Sequence, residues 1–144
     1  MSPGTLDPGL VKRHLDAIEE MLELLRPQRG KPLEDLTGDA MTMYAVEHLL
    51  QLCAQNALDI ATHLLATAGR SAKDYKESLL KLRDVGILPR EFASRFAEVA
   101  SFRNVLVHAY LDVDPAIVHR HLNERLDDFV EFARHVLEWL DRQK

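Results

Sequence analysis

The side chains best suited to chemistry lie together in segment 103–110, which reads Arg-Asn-Val-Leu-Val-His-Ala-Tyr. It combines a guanidinium (Arg103), a carboxamide (Asn104), an imidazole (His108) and a phenol (Tyr110). Arginine stays cationic and matches phosphate oxygens with a planar fork of donors. Histidine is the side chain best suited to moving protons near neutral pH. Because apolar residues between them would anchor the backbone, we predict a phosphate-directed site suited to metal-free cleavage of RNA.

The spacing of these residues limits how they can meet. Each residue of an ideal helix advances by about 100°, so Asn104 and His108 share a face, as do Arg103 and Tyr110. Arg103 and His108 are separated by roughly 140° around the same axis. The reach of the arginine, a loosening of the helix toward Asp112, or a twofold dimer would each unite them. The dimer is attractive because two copies then contribute both faces to one cleft.

The composition predicts one globular domain over residues 1–144. Apolar residues make up 47% and charged residues 28%, and the chain is long enough for a hydrophobic core. The net charge of -5 argues against a protein that coats nucleic acid by bulk electrostatics, and we expect no DNA substrate. The single cysteine fits a reducing compartment. Neither a signal segment nor a long apolar run is present, so we predict a cytoplasmic protein without a membrane partner.

The hydrophobic pattern predicts an all-α fold, a compact bundle of about five helices in which sequential helices are mostly antiparallel neighbours. The helices are expected at about residues 7–27, 37–67, 71–86, 89–110 and 114–140. Asp7 and Pro8 should cap the first helix, and Ser71 the third. The second helix is the candidate for the centre of the bundle, because it is apolar on most sides. Residues 31–36 are interpreted as a connector.

Other chemical sites are weakly supported. His119 and His121 are two residues apart and would diverge on a helix, and the Glu-x-x-His pattern of di-iron bundles is missing from the sequence. Cys53 lies in an apolar helix and is interpreted as a core residue. The sequence contains no glycine-rich phosphate loop. We therefore predict no metal and no cofactor. The remaining histidines of the helices read as face or boundary residues, namely His14, His63 and His135.

Segment 103–110 resembles the Arg-x4-His-x-Tyr signature of the HepT ribonucleases, a family of the HEPN (higher eukaryotes and prokaryotes nucleotide-binding) superfamily. The resemblance spans most of the chain. It includes the helix order, the 44–65 helix reading Tyr-Ala-Val-Glu…Leu-Gln-Leu…Leu-Asp-Ile-Ala…His-Leu, and Gly-Ile-Leu-Pro at 86–89. His48, which follows Glu47, stands where the family more often has arginine, so no role is carried over to it.

This resemblance implies a specific function. HepT proteins are dimeric, metal-independent toxins of type VII toxin–antitoxin pairs that cleave cellular RNA. Their antitoxin is a small MNT-type nucleotidyltransferase that transfers AMP from ATP to the signature tyrosine and so silences the toxin. Carried over to this chain, Arg103 and His108 are the catalytic pair. Asn104 orients the site, and Tyr110 is the residue that receives AMP.

Two other interpretations stay open at the level of sequence. The chain is alternatively a catalytically inactive helical subunit that binds a nucleotidyltransferase or a nucleotide. An unrelated helical bundle with an accidental signature is the other alternative. The first of these needs the same bundle and the same tyrosine, so the sequence does not separate it from the nuclease.

Overall fold

A computed structural model describes residues 4–144, which fold into eight α-helices without a strand. The helices are α1 (Pro8–Leu25), α2 (Leu33–Thr37), α3 (Ala40–Thr67), α4 (Tyr75–Lys81), α5 (Arg90–Phe96), α6 (Glu98–His108), α7 (Pro115–Glu124) and α8 (Leu126–Arg142). Single 3₁₀ turns cover Arg26–Gln28 and Tyr110–Asp112. The all-α prediction is confirmed. Residues 1–3, part of the stretch for which the sequence predicts no signal segment, lie outside the described residues.

The start and the buried face of α1 follow the sequence pattern. The Asp7 carboxylate accepts a hydrogen bond from the Leu10 N–H at 3.0 Å, and Pro8 occupies the first helical position, where no N–H is needed. The predicted cap is therefore confirmed. The five apolar residues that recur at intervals of three and four along this helix are all buried, namely Val11, Leu15, Ile18, Leu22 and Leu25.

Helix α3 is the central element of the bundle. It contacts α1, α2, α4, α6, α7 and α8, and Asp39 caps its first turn by accepting hydrogen bonds from two backbone N–H groups. Its small residues Ala54, Ala57 and Ala61 are buried, which lets the neighbouring helices approach closely. Cys53 is fully buried, and this burial raises the pKa of its thiol to about 12. The predictions of a central helix and a core cysteine are therefore confirmed.

The prediction of five helices is wrong, because two of the predicted helices are each broken into two. The fourth predicted helix ends as α5 and resumes as α6 after a tight turn at Ala97. This turn allows Phe96 of α5 to stack on Phe132 of α8, while Phe102 of α6 stacks on His121 of α7. The fifth predicted helix is broken at Arg125, which bonds Glu98 of α6 at 2.7 Å.

Two boundaries also differ from the prediction. The cap of α4 is Asp74 rather than Ser71, since the Asp74 carboxylate accepts a hydrogen bond from the Glu77 N–H at 2.8 Å. The predicted connector at 31–36 contains the start of the short helix α2, whose Leu36 is buried in the core. Among the described helices, none has the length and hydropathy needed to cross a lipid bilayer.

Candidate functional site

Arg103 is held in a defined orientation by contacts from two other helices. Its Nε donates a hydrogen bond to the Gln55 Oε1 of α3 at 2.9 Å, and its Nη1 donates to the Asn104 Oδ1 at 3.0 Å. Its Cζ also lies 5.0 Å from the centre of the Tyr75 ring of α4, a distance typical of a cation–π contact. The guanidinium is therefore held in place by two hydrogen bonds, and one of its faces lies against the Tyr75 ring. Its Nη2 makes no hydrogen bond within residues 4–144.

The contact between Arg103 and α3 is extended by a carboxylate that holds Gln55. The Gln55 Nε2 donates a hydrogen bond to the Asp59 Oδ1 at 2.8 Å, one helical turn further along α3. Sequence reasoning missed Gln55, Asp59 and Tyr75. A signal for the first two was present, because Gln51, Gln55 and Asp59 recur every four residues and so share one face of the helix.

His108 is the last residue of α6, and its side chain is exposed. Within residues 4–144 its ring makes no hydrogen bond, and the same holds for His48. The other histidines contact partners: His14 bonds Asn56, His63 bonds the Asp7 N–H, His119 bonds the Lys31 carbonyl, His135 bonds Glu131, and His121 stacks on Phe102. The His108 ring is thus accessible to a ligand or to solvent.

Tyr110 lies beyond the end of α6. The backbone leaves the helical conformation at Ala109 (φ -118°, ψ 35°), and Tyr110 begins a 3₁₀ turn with its side chain 70% exposed. The expectation that Arg103 and Tyr110 share a helical face is therefore wrong, because only Arg103 lies on α6. The helix stays regular through His108, so loosening toward Asp112 does not bring His108 round to Arg103.

A cleft beside Tyr110 lies between α3 and the 3₁₀ turn. It has a volume of about 310 Å³, and its lining includes Tyr44, Glu47, Tyr110 and Leu111. Burial in this region raises the pKa of the Glu47 carboxyl. Three exposed side chains at this cleft form an apolar patch: Tyr44 is 69% exposed, Tyr110 70% and Leu111 84%. Apolar side chains concentrated in this way are typical of an interaction surface.

The structure unites only part of the predicted site within one chain. Arg103 and Asn104 are in direct contact, whereas no hydrogen bond joins Arg103 to His108 among the described residues. Arg103 is engaged with α3 and α4, while His108 projects from the end of α6 into solvent. His119 and His121 point to different partners, as their spacing predicts. No cluster of three potential metal ligands occurs within residues 4–144.

Comparison with known proteins identifies the family. The model of the family described as "Ribonuclease HepT-like" matches residues 12–136, which is most of the chain. The chain belongs to the HepT-like ribonuclease family. It is 30% identical over 137 residues to the tRNA nuclease HepT of Aphanizomenon flos-aquae, covering 94% of this chain and 92% of that relative. It is 27% identical over 133 residues to a putative RNase of Archaeoglobus fulgidus, covering 91% and 96% of the two chains.

Solved structures share the fold of this HepT-like chain. The tri-AMPylated HEPN toxin of Shewanella oneidensis, in complex with its MNT antitoxin, superposes with a TM-score of 0.80 at 18% identity, covering 90% of this chain and 97% of that one. The protein YutE of Bacillus subtilis, described as a cytosolic protein of unknown function, superposes with a TM-score of 0.83 at 16% identity, covering 96% and 93%. At these identities the likeness establishes the HEPN-like helical fold alone.

Proposed function

We propose that this HepT-like chain is a metal-independent endoribonuclease and the toxin of a HepT/MNT-type toxin–antitoxin pair. The observation that carries the proposal is the state of its two ionisable site residues. Within residues 4–144, Arg103 is held by Gln55 and Tyr75 while its Nη2 makes no hydrogen bond, and the exposed His108 ring makes none either. The relatives named tRNA nuclease HepT and putative RNase support RNA as the substrate.

The proposed reaction uses the ribose of the RNA as its nucleophile. The 2′-hydroxyl attacks the adjacent phosphorus as it loses its proton, and the bond to the 5′-oxygen breaks as that oxygen gains a proton. The products are a 2′,3′-cyclic phosphate and a 5′-hydroxyl. His108 either removes the first proton or supplies the second. Arg103 binds the phosphate and stabilises the negative charge that grows on its oxygens. Asn104, which accepts a hydrogen bond from Arg103, orients the guanidinium.

A homodimer completes this proposal. The reaction needs one group that removes a proton and another that delivers a proton. In a twofold dimer, the partner's copy of His108 lies in a cleft shared by the two subunits and takes the second of these roles. The exposed side chains of Tyr44 and Leu111 support such pairing, since large apolar side chains are usually covered in the working assembly. The same twofold symmetry compensates for the angular separation of Arg103 and His108 on α6, because the two subunits contribute different helix faces to one cleft.

We further propose that an MNT-type nucleotidyltransferase silences the site by attaching AMP to Tyr110. The phenol of Tyr110 is 70% exposed and follows His108 by two residues, so an attached nucleotide would occupy the entrance to the cleft. Its phosphodiester also competes with RNA for Arg103 by charge-assisted hydrogen bonds. The AMPylated Shewanella toxin in complex with an MNT antitoxin supports this partner.

The decisive experiment compares Arg103→Ala and His108→Ala with the parent protein on defined RNAs. Each variant should lose cleavage by on the order of 10²-fold or more, because each removes a group that acts in the transition state. Arg134→Ala is the matched control, since Arg134 is an exposed arginine on α8. A single 2′-deoxy substitution at the scissile nucleotide should block the reaction. If both folded variants cleave like the parent, Arg103 and His108 are not the catalytic pair; if the purified parent itself cleaves none of these RNAs, the chain is instead an inactive binding subunit.

A further inference from the structure

We infer that Gln55 and Asp59 are positioning residues for Arg103 in the cleavage reaction. This inference rests on the proposed function, because it assigns a role to residues that act through the proposed catalytic arginine. The three side chains form a continuous chain of hydrogen bonds from Asp59 through Gln55 to the Arg103 Nε, with lengths of 2.8 and 2.9 Å. None of the three is fully exposed, so the contacts are partly protected from competing water.

The order of donors and acceptors gives this series of hydrogen bonds a direction. A carboxylate only accepts hydrogen bonds, whereas a carboxamide has one accepting and one donating end. Asp59 therefore attracts the amide nitrogen of Gln55, which turns the carbonyl oxygen toward Arg103. Without Asp59, the Gln55 carboxamide is free to rotate and to present its NH₂ group to a guanidinium that also only donates. Asp59 thus determines that the carbonyl oxygen of the Gln55 carboxamide, and not its NH₂ group, faces Arg103.

As a consequence, only some of the N–H donors of the Arg103 guanidinium remain available to a substrate. Gln55 occupies Nε, Asn104 occupies one proton of Nη1, and the Tyr75 ring lies against the guanidinium at 5.0 Å. The Nη2 protons and the second Nη1 proton are left to bind a phosphate. Held in this way, the guanidinium does not have to reorganise when charge develops on the phosphate oxygens, which is the condition for strong transition-state stabilisation.

The experiment measures kcat and KM on a defined RNA for variants of Gln55. Gln55→Met has a similar size but offers no amide acceptor, and its kcat should fall by on the order of 10- to 100-fold at unchanged thermal midpoint. Gln55→Glu keeps an acceptor for the Arg103 Nε–H but loses the donor to Asp59, so it is combined with Asp59→Asn, which supplies a donor; the Gln55→Glu/Asp59→Asn protein should stay within several-fold of the parent. Asp59→Leu should show a smaller loss of the same kind. Gln51→Met is the matched control, since Gln51 lies one turn earlier on α3 and makes no hydrogen bond to Arg103.

A double-mutant cycle separates positioning from general stability. In an Arg103→Lys background, whose side chain lacks the Nε–H, Gln55→Met should cause no further loss. Hydrogen exchange of the Arg103 Nε–H, followed by NMR with ¹⁵N-labelled arginine, should be slow in the parent and fast in Gln55→Met. An additive cycle, or a Gln55→Met protein that cleaves at the parent rate while Arg103→Ala is inactive, overturns the inference and leaves the proposed function standing. Parent-like cleavage by Arg103→Ala overturns both.

Discussion

The imidazole of His121 stacks on the ring of Phe102, with ring centroids 3.8 Å apart and planes 3° from parallel. This pair joins α7 to α6 one residue before Arg103, so it helps to hold the backbone that carries the proposed site. His121 is only 5% exposed, and burial, together with the charges of Arg120 and Arg125, lowers its pKa from 6.5 to about 4. The folded protein therefore contains His121 in its neutral form at neutral pH.

This buried histidine predicts a loss of stability in mild acid. Between pH 6.5 and 4 the unfolded chain binds a proton at His121 and the folded chain does not, so the free energy of unfolding falls as the pH decreases. This decrease in the free energy of unfolding is absent above the window and reaches about 3 kcal/mol at its lower end. Urea unfolding at a series of pH values measures it. His121→Phe, which retains the stacked ring, should be less sensitive across the window; an identical pH profile for parent and variant would contradict the prediction.

Mixing parent and inactive subunits tests the shared cleft. If each cleft needs His108 from both subunits, an equal mixture of parent and His108→Ala protein, after subunit exchange, should show roughly a quarter of the activity of the same total amount of parent. Independent sites would give about half. Cleavage rates at constant total protein, with the exchange confirmed by mass-tagged subunits, distinguish the two results.

Co-expression with the cognate MNT-type nucleotidyltransferase should add whole AMP units to Tyr110. The expected result follows from the exposure of the phenol, which leaves its oxygen accessible to a transferase. Intact-mass measurement of the purified chain detects the added nucleotide, and the modified protein should lose RNA cleavage. Tyr110→Phe is the control, since it removes only the acceptor oxygen. Unchanged modification of Tyr110→Phe would place the acceptor on another residue.

Chelating agents should leave cleavage intact, because the proposed acid–base groups and the phosphate-binding group are all side chains of this chain. The measurement compares rates with and without EDTA and analyses the product ends. A 2′,3′-cyclic phosphate and a 5′-hydroxyl are expected, whereas hydrolysis by an activated water leaves different ends. Activity that disappears with chelator and returns with a divalent ion would refute the mechanism.

Much of the fold was predictable because its signals are local. The Asp7 cap and the apolar stripe of α1 depend on residues within a few turns of one another. The breaks at Ala97 and Arg125 were not predictable, since neither position has glycine or proline. The break at Ala97 lets α5 and α6 stack on different aromatic partners. The break at Arg125 lies where this residue forms a hydrogen bond to Glu98 of another helix.

The sequence by itself determined the helical class, the family signature and the identity of Arg103, Asn104, His108 and Tyr110 as candidate site residues, because periodicity and motif spacing are written along the chain. Only the tertiary structure decided how Arg103 is oriented. Its partner Gln55 lies 48 positions earlier in the chain, and Tyr75 belongs to yet another helix. Contacts of this range depend on how helices pack around a common core, which local spacing does not specify.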